Sequence, residues 1–213
     1  MLWAIFSDIH GRPDRLDRVL RDAQRQGATR YLSLGDVGSM VALDMLADVG
    51  ALCVFGNWEA SGLRGMASPY RQWVARWPAQ LRIPELWAAH ASPVWPQGLE
   101  IAGVVDYMRR QELRWPMLFP SLQHSEEARW AALAELDAGA AAVFFHGHTH
   151  VQEAWLWRPG AAPARLTGPT FAIESALDRC LVGVGSVGMP HDGNGACYAL
   201  YDDATRRVEW RRV

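Results

Sequence analysis

Seven residues of this chain could hold metal ions, and each stands just past an apolar run: Asp8, His10, Asp36, Asn57, His90, His148 and His150. Imidazole nitrogen, carboxylate oxygen and amide oxygen make a donor set that suits manganese first, with iron, zinc, cobalt or nickel as alternatives. Two divalent cations held about 3.5–4 Å apart need one shared carboxylate and donors on each side. Asp36 is the natural bridge, because it follows the central run. The densest mark is Phe144-Phe145-His146-Gly147-His148-Thr149-His150, where an apolar run from Ala140 to Phe145 breaks at a glycine and histidines alternate after it. A single His-x-His is a weak signal, whereas seven donors at strand ends are a strong one. No Cys-x-x-Cys occurs, so a thiolate zinc site is not expected. Ser7, Ser92 and Thr149 lack an adjacent base and read as turn residues rather than nucleophiles.

The elements that position these donors follow from the hydrophobic pattern. Leu2 to Phe6 is a continuous apolar run, as expected of a strand buried on both faces. A helix follows, with Pro13 in its first turn and an apolar stripe of Leu16, Val19, Leu20 and Ala23 opposed by Arg15, Asp17, Arg18 and Asp22. A second strand over 30–34 ends at Gly35-Asp36. A helix over 39–48, capped by Ser39, leads to a third strand over 51–55 that ends at Gly56-Asn57-Trp58-Glu59. This βαβαβ layout puts every polar mark at a strand's carboxyl end, where open α/β sheets bind ligands.

Further on, the pattern predicts a helix over 66–77 and strands over 81–83 and 86–89, the second running into His90. The aromatic stretch 94–124 reads as an excursion over the site, with a helix around 104–113. A helix capped by Ser125 then carries Trp130, Leu133 and Leu136 inward. After His150 a run of short strands alternates with glycine and proline turns.

Composition bounds the rest. The 213 residues carry a net charge of -2, which offers no general attraction to nucleic acid or anionic lipid. All 21 basic residues are arginine, and the chain holds eleven tryptophans. Of the three cysteines, Cys53 and Cys197 sit in apolar runs and read as core residues rather than a disulfide framework. No run of 18 apolar residues and no leader-like segment occurs, so a single cytoplasmic domain over 1–213 is the expectation.

In order and spacing, Asp8-x-His10, Gly35-Asp36, Gly56-Asn57, His90 and Gly147-His148-x-His150 resemble the calcineurin-like metallophosphoesterase family. Gly185-Ser186-Val187-Gly188-x-Pro190-x-Asp192-Gly193 resembles its small bacterial and archaeal branch. The resemblance implies an α/β fold: two mixed β-sheets packed face to face as a sandwich, flanked by α-helices in four layers. It also implies one metal held by Asp8, His10, Asp36 and His150, and another by Asp36, Asn57, His90 and His148. The implied reaction is direct, in-line attack on phosphorus by a water or hydroxide shared by two metals.

One position departs from the family. Many members read Gly-Asn-His at the third mark, and that histidine is the usual candidate for protonating the leaving group, whereas here Trp58 stands in its place. Indole is not a general acid, and losing such a group removes about 10²–10⁴-fold of rate when the leaving group is basic. The expected substrate is therefore a phosphoanhydride or an activated diester, such as diadenosine tetraphosphate, whose symmetrical cleavage is known in this branch. Trp58 either stacks on a nucleobase or fills the space left by histidine.

Arg12 and Arg64 follow two of the motifs and are candidates to grip substrate phosphate, and His124 is a candidate proton donor. His146 reads as a supporting strand-end residue, and His191 and Asp192 as structural. The expected partner is a small phosphate ester or nucleotide, not a membrane or a nucleic acid. The alternatives are a small or cyclic-nucleotide phosphodiesterase, a protein phosphatase, or a non-catalytic scaffold of the same fold.

Overall fold

The structure, a computed structural model, describes residues 1–84, 86–139 and 141–213. Two six-stranded mixed sheets form an α/β sandwich flanked by α-helices. The first sheet starts from three parallel strands, β1 (Leu2–Phe6), β2 (Arg30–Ser33) and β3 (Leu52–Cys53), linked by helices α1 (Pro13–Arg25) and α2 (Met40–Asp48). Short helices α3 (Asn57–Gly62) and α4 (Ser68–Val74) lead to β4 (Gln80–Ile83) and β5 (Leu86–Ala89) of the second sheet.

The excursion holds α5 (Val104–Arg110) and α6 (Trp115–Leu118), and α7 (Glu126–Ala138) precedes β6 (Val143–His146). The remaining strands are β7 (Gln152–Trp157), β8 (Ala164–Leu166), β9 (Thr170–Ala172), β10 (Arg179–Val184), β11 (Cys197–Asp202) and β12 (Arg207–Arg212). The sheet orders are β3-β2-β1-β11-β12-β9 and β4-β5-β6-β10-β7-β8.

The apolar runs are continuous because the central strands are covered on both faces. Trp3, Ile5, Leu32 and Val54 point between the sheets and meet Leu86, Ala88, Phe145 and Val182. Ala4 and Phe6, on the other face of β1, pack on Leu16, Val19 and Ala23 of α1. Phe144, Trp87 and Leu181 lie on the outer face of the second sheet beneath Ala132, Leu133 and Leu136 of α7. A strand with both faces buried needs no polar alternation, so its first polar residues come where it leaves the sandwich.

Several details differ from the pattern. Asp22, expected on the wet face of α1, is buried; it accepts a hydrogen bond from the Tyr198 hydroxyl (2.8 Å) and pairs with Arg211 (3.1 Å). Trp130, expected inward, is 40% exposed and leans against Trp157. It precedes Leu133 by one turn but lies at the margin of the stripe, where β7 gives it an aromatic edge. The helix expected over 66–77 is shorter, because Pro69 opens it late and a 3₁₀ turn at Leu63–Gly65 precedes it. The strand expected to begin at Ala140 is seen from Val143; Ala140 itself lies outside the described residues. Ser39 and Ser125 cap their helices as expected, accepting from the amides of Ala42 and Ala128 at 3.1 Å. No helix among the described residues is long and apolar enough to cross a membrane.

Candidate metal centre

All seven donors lie just past strand ends at one rim of the sandwich, six in loops and Asn57 at the start of α3. The β1, β2 and β3 ends carry Asp8, His10, Asp36 and Asn57, while the β5 and β6 ends carry His90, His148 and His150. Backbone hydrogen bonds tie the loops together: Asp8 N–H to Gly35 O (3.0 Å), His10 N–H to Asp36 O (2.9 Å), and Gly147 N–H to His90 O (2.9 Å). Seven non-glycine residues among those described have positive φ, and five are donors: Asp8, His10, Asp36, His148 and His150, with φ from 47° to 62°. This left-handed region costs non-glycine residues about 1–3 kcal/mol each and clusters at functional sites. Close approach accounts for two glycines: a Cβ on Gly56 would collide with Asp36 Oδ1, and one on Gly147 with Ser7 Oγ.

The donors form two groups. In the first, His150 Nε2 lies 3.2 Å and His10 Nε2 3.6 Å from Asp8 Oδ1, and the two imidazole nitrogens are 3.1 Å apart. His150 Nδ1–H donates to Met189 O at 2.7 Å, which leaves its Nε2 lone pair facing the group. The second group is Asp8, Asp36 and His90, with Asn57 beside it. His90 Nε2 lies 3.6 Å from Asp36 Oδ2 and 3.1 Å from Asn57 Oδ1, while its Nδ1–H donates to Leu34 O at 2.8 Å.

Asp8 is thus common to both groups, whereas Asp36 enters only the second, because its Oδ1 accepts the Trp58 amide at 2.9 Å and its Oδ2 turns toward His90. The His148 amide donates to Asp8 Oδ2 at 2.8 Å, and its ring stands 5.1 Å from that of His90.

Burial and mutual charge set the protonation of these groups. Burial pushes Asp8 upward, but His10 and His150 outweigh it and hold the carboxyl well below its usual range. Burial raises Asp36 to about 6; His90 opposes the rise, and the nearby charges of Asp8 and Glu59 add to it. Burial lowers His148 to about 4 with His90 as a neighbour, whereas His90 and His150 are raised because the carboxylates outweigh burial.

Asn57 Oδ1 and Asp36 Oδ2 both face His90 Nε2, and the buried Asp8 Oδ1 has no hydrogen-bond partner, an arrangement that a metal ion would satisfy. The residues present therefore fit a dinuclear divalent-metal centre.

Two supports were not legible beforehand. Buried Glu59 accepts the amides of Asp36, Val37 and Gly56, each at 2.8 Å, and so pins two metal loops to the start of α3. A glutamate three residues into a helix, as in a capping box, was the available signal. The Gly185–Gly188 turn braces Asp8 from below: Ser186 Oγ donates to Asp8 O at 2.8 Å and Gly188 N–H to the same oxygen at 2.9 Å.

Other candidates lie elsewhere. Arg12 is bound to Asp14 through two hydrogen bonds of 2.9 and 2.8 Å, and Arg64 pairs with Asp106 at 2.9 Å. His124 is exposed and belongs to neither donor group. Trp58 stands beside the centre, its indole 4.3 Å from the His10 ring. His146 ends β6, buried, with burial lowering it to about 4. The His191 ring lies tilted against that of His150 with centroids 4.6 Å apart, and Asp192 accepts the Gln152 amide and pairs with Arg212. Ser92 and Thr149 accept amides two residues on, as turn residues do. Phe119 of the aromatic excursion closes one flank, 5.9 Å from His90 and 6.3 Å from His148.

Residues 1–206 match the calcineurin-like phosphoesterase superfamily domain. The chain belongs to that superfamily. Its paired ligand groups and calcineurin-like fold make it a metal-dependent hydrolase. Among solved structures it is similar to a metallophosphoesterase from Sphaerobacter thermophilus, with a TM-score of 0.74 and 20% identity over 100% of this chain and 88% of that one. It is also similar to an archaeal phosphodiesterase, with a TM-score of 0.54 and 12% identity over 100% of both chains. A candidate diadenosine tetraphosphatase shares the fold with a TM-score of 0.56 and 16% identity over 99% of this chain and 93% of that one. At these identities the likeness is one of fold. No curated protein matches the chain.

Proposed function

We propose that this single-domain calcineurin-like enzyme, over 1–213, hydrolyses phosphoanhydrides or activated phosphodiesters of a nucleotide type, with diadenosine tetraphosphate as the model substrate. Two divalent cations, manganese first, would supply Lewis acidity to the phosphoryl oxygens and acidify a bound water. Asp8, His10 and His150 would hold one, and Asn57, His90 and His148 the other. Asp36 would be the carboxylate shared by both, with Asp8 as the competing one because it is common to both donor groups. The Leu34 and Met189 carbonyls keep His90 and His150 in the tautomer that offers Nε2 inward.

The observation that carries the substrate class is Trp58. It follows Asn57, packs against His10, and stands where the resemblance to the family puts the leaving group's proton donor, while its indole N–H is only a hydrogen-bond donor. A leaving group that is stable as an anion, such as a nucleoside phosphate or a phenolate, needs no such proton. Arg12 and Arg64 reach a substrate only by leaving Asp14 and Asp106. His124 remains a candidate proton donor.

The test is turnover by metal-stripped protein with manganese added back, on diadenosine tetraphosphate, bis-p-nitrophenyl phosphate and a phosphoserine peptide. Hydrolysis concentrated on the dinucleotide is the expected result. A preference for the aryl diester moves the assignment to a phosphodiesterase. Turnover led by the peptide defeats the leaving-group argument, and inertness with metal bound indicates a scaffold.

A further inference from the structure

A cavity of about 330 Å³ opens beside the metal groups, walled by Val37, Met40, Leu43, Trp58 and Met66. Its one charged lining residue, Glu59, is occupied by three backbone amides. Its serine, Ser39, is occupied in capping α2. Trp58 is the wall shared with the centre: it touches His10 on one side, and a Cβ on Gly38 would press against its ring. Yet Trp58 is 46% exposed and Met40 55%, so two large apolar residues of the lining also meet solvent.

We propose that this cavity binds a neutral planar ring carried by the substrate, a nucleobase or an aryl group, while the phosphate lies on the metal groups. The proposal rests on the reaction assigned above. A charged or polyhydroxy group would enter a space without free charges and lose its water uncompensated. A flat ring gains apolar contact with the methionines and stacking on the indole.

The test is calorimetric binding to the manganese-loaded protein of two pairs of non-hydrolysable anions: α,β-methylene adenosine diphosphate with methylenediphosphonate, and phenylphosphonate with methylphosphonate. Gly62 and Gly65 line the cavity, neither has positive φ, and an added Cβ meets nothing within 4 Å at either position. Gly65→Leu and Gly62→Leu therefore fill the space without backbone strain.

The ring-bearing member of at least one pair should bind about tenfold more tightly or better, as expected for stacking on an aromatic side chain. Both substitutions should erase that advantage and leave the ringless anions unchanged. The first pair identifies a base and the second an aryl group. Equal affinity within both pairs on the unmodified protein overturns the proposal even if neither variant folds. A ring advantage that survives in folded variants overturns it too. Hydrolysis is measured separately: its absence defeats the assigned reaction, while the ring preference stands or falls on the binding data.

Discussion

One oxygen of Glu59 accepts the backbone N–H of Asp36 at 2.8 Å, and the other accepts that of Val37 at the same distance. A carboxylate that never touches the reacting atoms thereby sets the path of a metal-bearing loop. It also accepts from Gly56 N–H, so the Asp36 and Asn57 loops share one buried support. Glu59→Gln keeps the shape but replaces an acceptor with a donor facing N–H groups. The expected effect is a stability loss of about 1–3 kcal/mol together with weakened retention of the second cation. Thermal melting and metal content after dialysis check this; unchanged metal retention in a destabilised variant would reduce Glu59 to a purely structural role.

The bridging assignment is decided by comparing two substitutions. Asp36→Asn should abolish turnover and lose metal pairing, leaving the Asp8, His10 and His150 group able to hold one ion. Metal stoichiometry on Asp36→Asn and Asp8→Asn is the measurement. Two ions retained at an unchanged rate in Asp36→Asn would pass the bridge to Asp8.

Replacing the indole restores a proton donor beside Asn57. Trp58→His should raise turnover on alkyl phosphates more than on phosphoanhydrides, by up to about 10²-fold. Equal gains on both classes would show that the leaving group was never the limiting factor.

Far from the centre, burial pushes the Asp22 carboxyl up, but the Tyr198 hydroxyl and the Arg25 and Arg211 guanidinium groups outweigh it and hold it below its usual range. A carboxyl depressed in the folded state contributes stability above its unfolded pKa of about 3.9 and loses it as pH falls through the lower folded value. The stability gap between the native chain and Asp22→Asn should therefore be constant near neutrality and shrink as pH drops below about 4. Urea titrations at stepped pH test this, and a gap indifferent to acid would mean that the carboxylate's charge contributes nothing.

Strand ends were the most readable part of the sequence. Phe6, Ala89 and Phe145 close apolar runs, and polarity resumes where the chain leaves the double-faced core, so the donors could be found without knowing which sheet each strand joins. What escaped notice depends on distant neighbours. Asp22 sits on α1 like any solvated acid until β11 and β12 return with Tyr198 and Arg211, more than 170 residues later. Arg12 looks free to grip phosphate until the turn into α1 places Asp14 against it. Which carboxylate is common to both donor groups depends on the Trp58 amide having taken one oxygen of Asp36, a fact of loop geometry with no spacing rule behind it.

Both donor groups straddle the two sheets: Asp8, His10 and Asp36 come from one leaf, and His150 and His90 from the other. Neither leaf carries all the donors of either group. A chain that has completed only its first sheet offers an unfinished cradle, and the ion serves as an inspector of finished assembly, meeting its full donor set only where both leaves have found their mutual register.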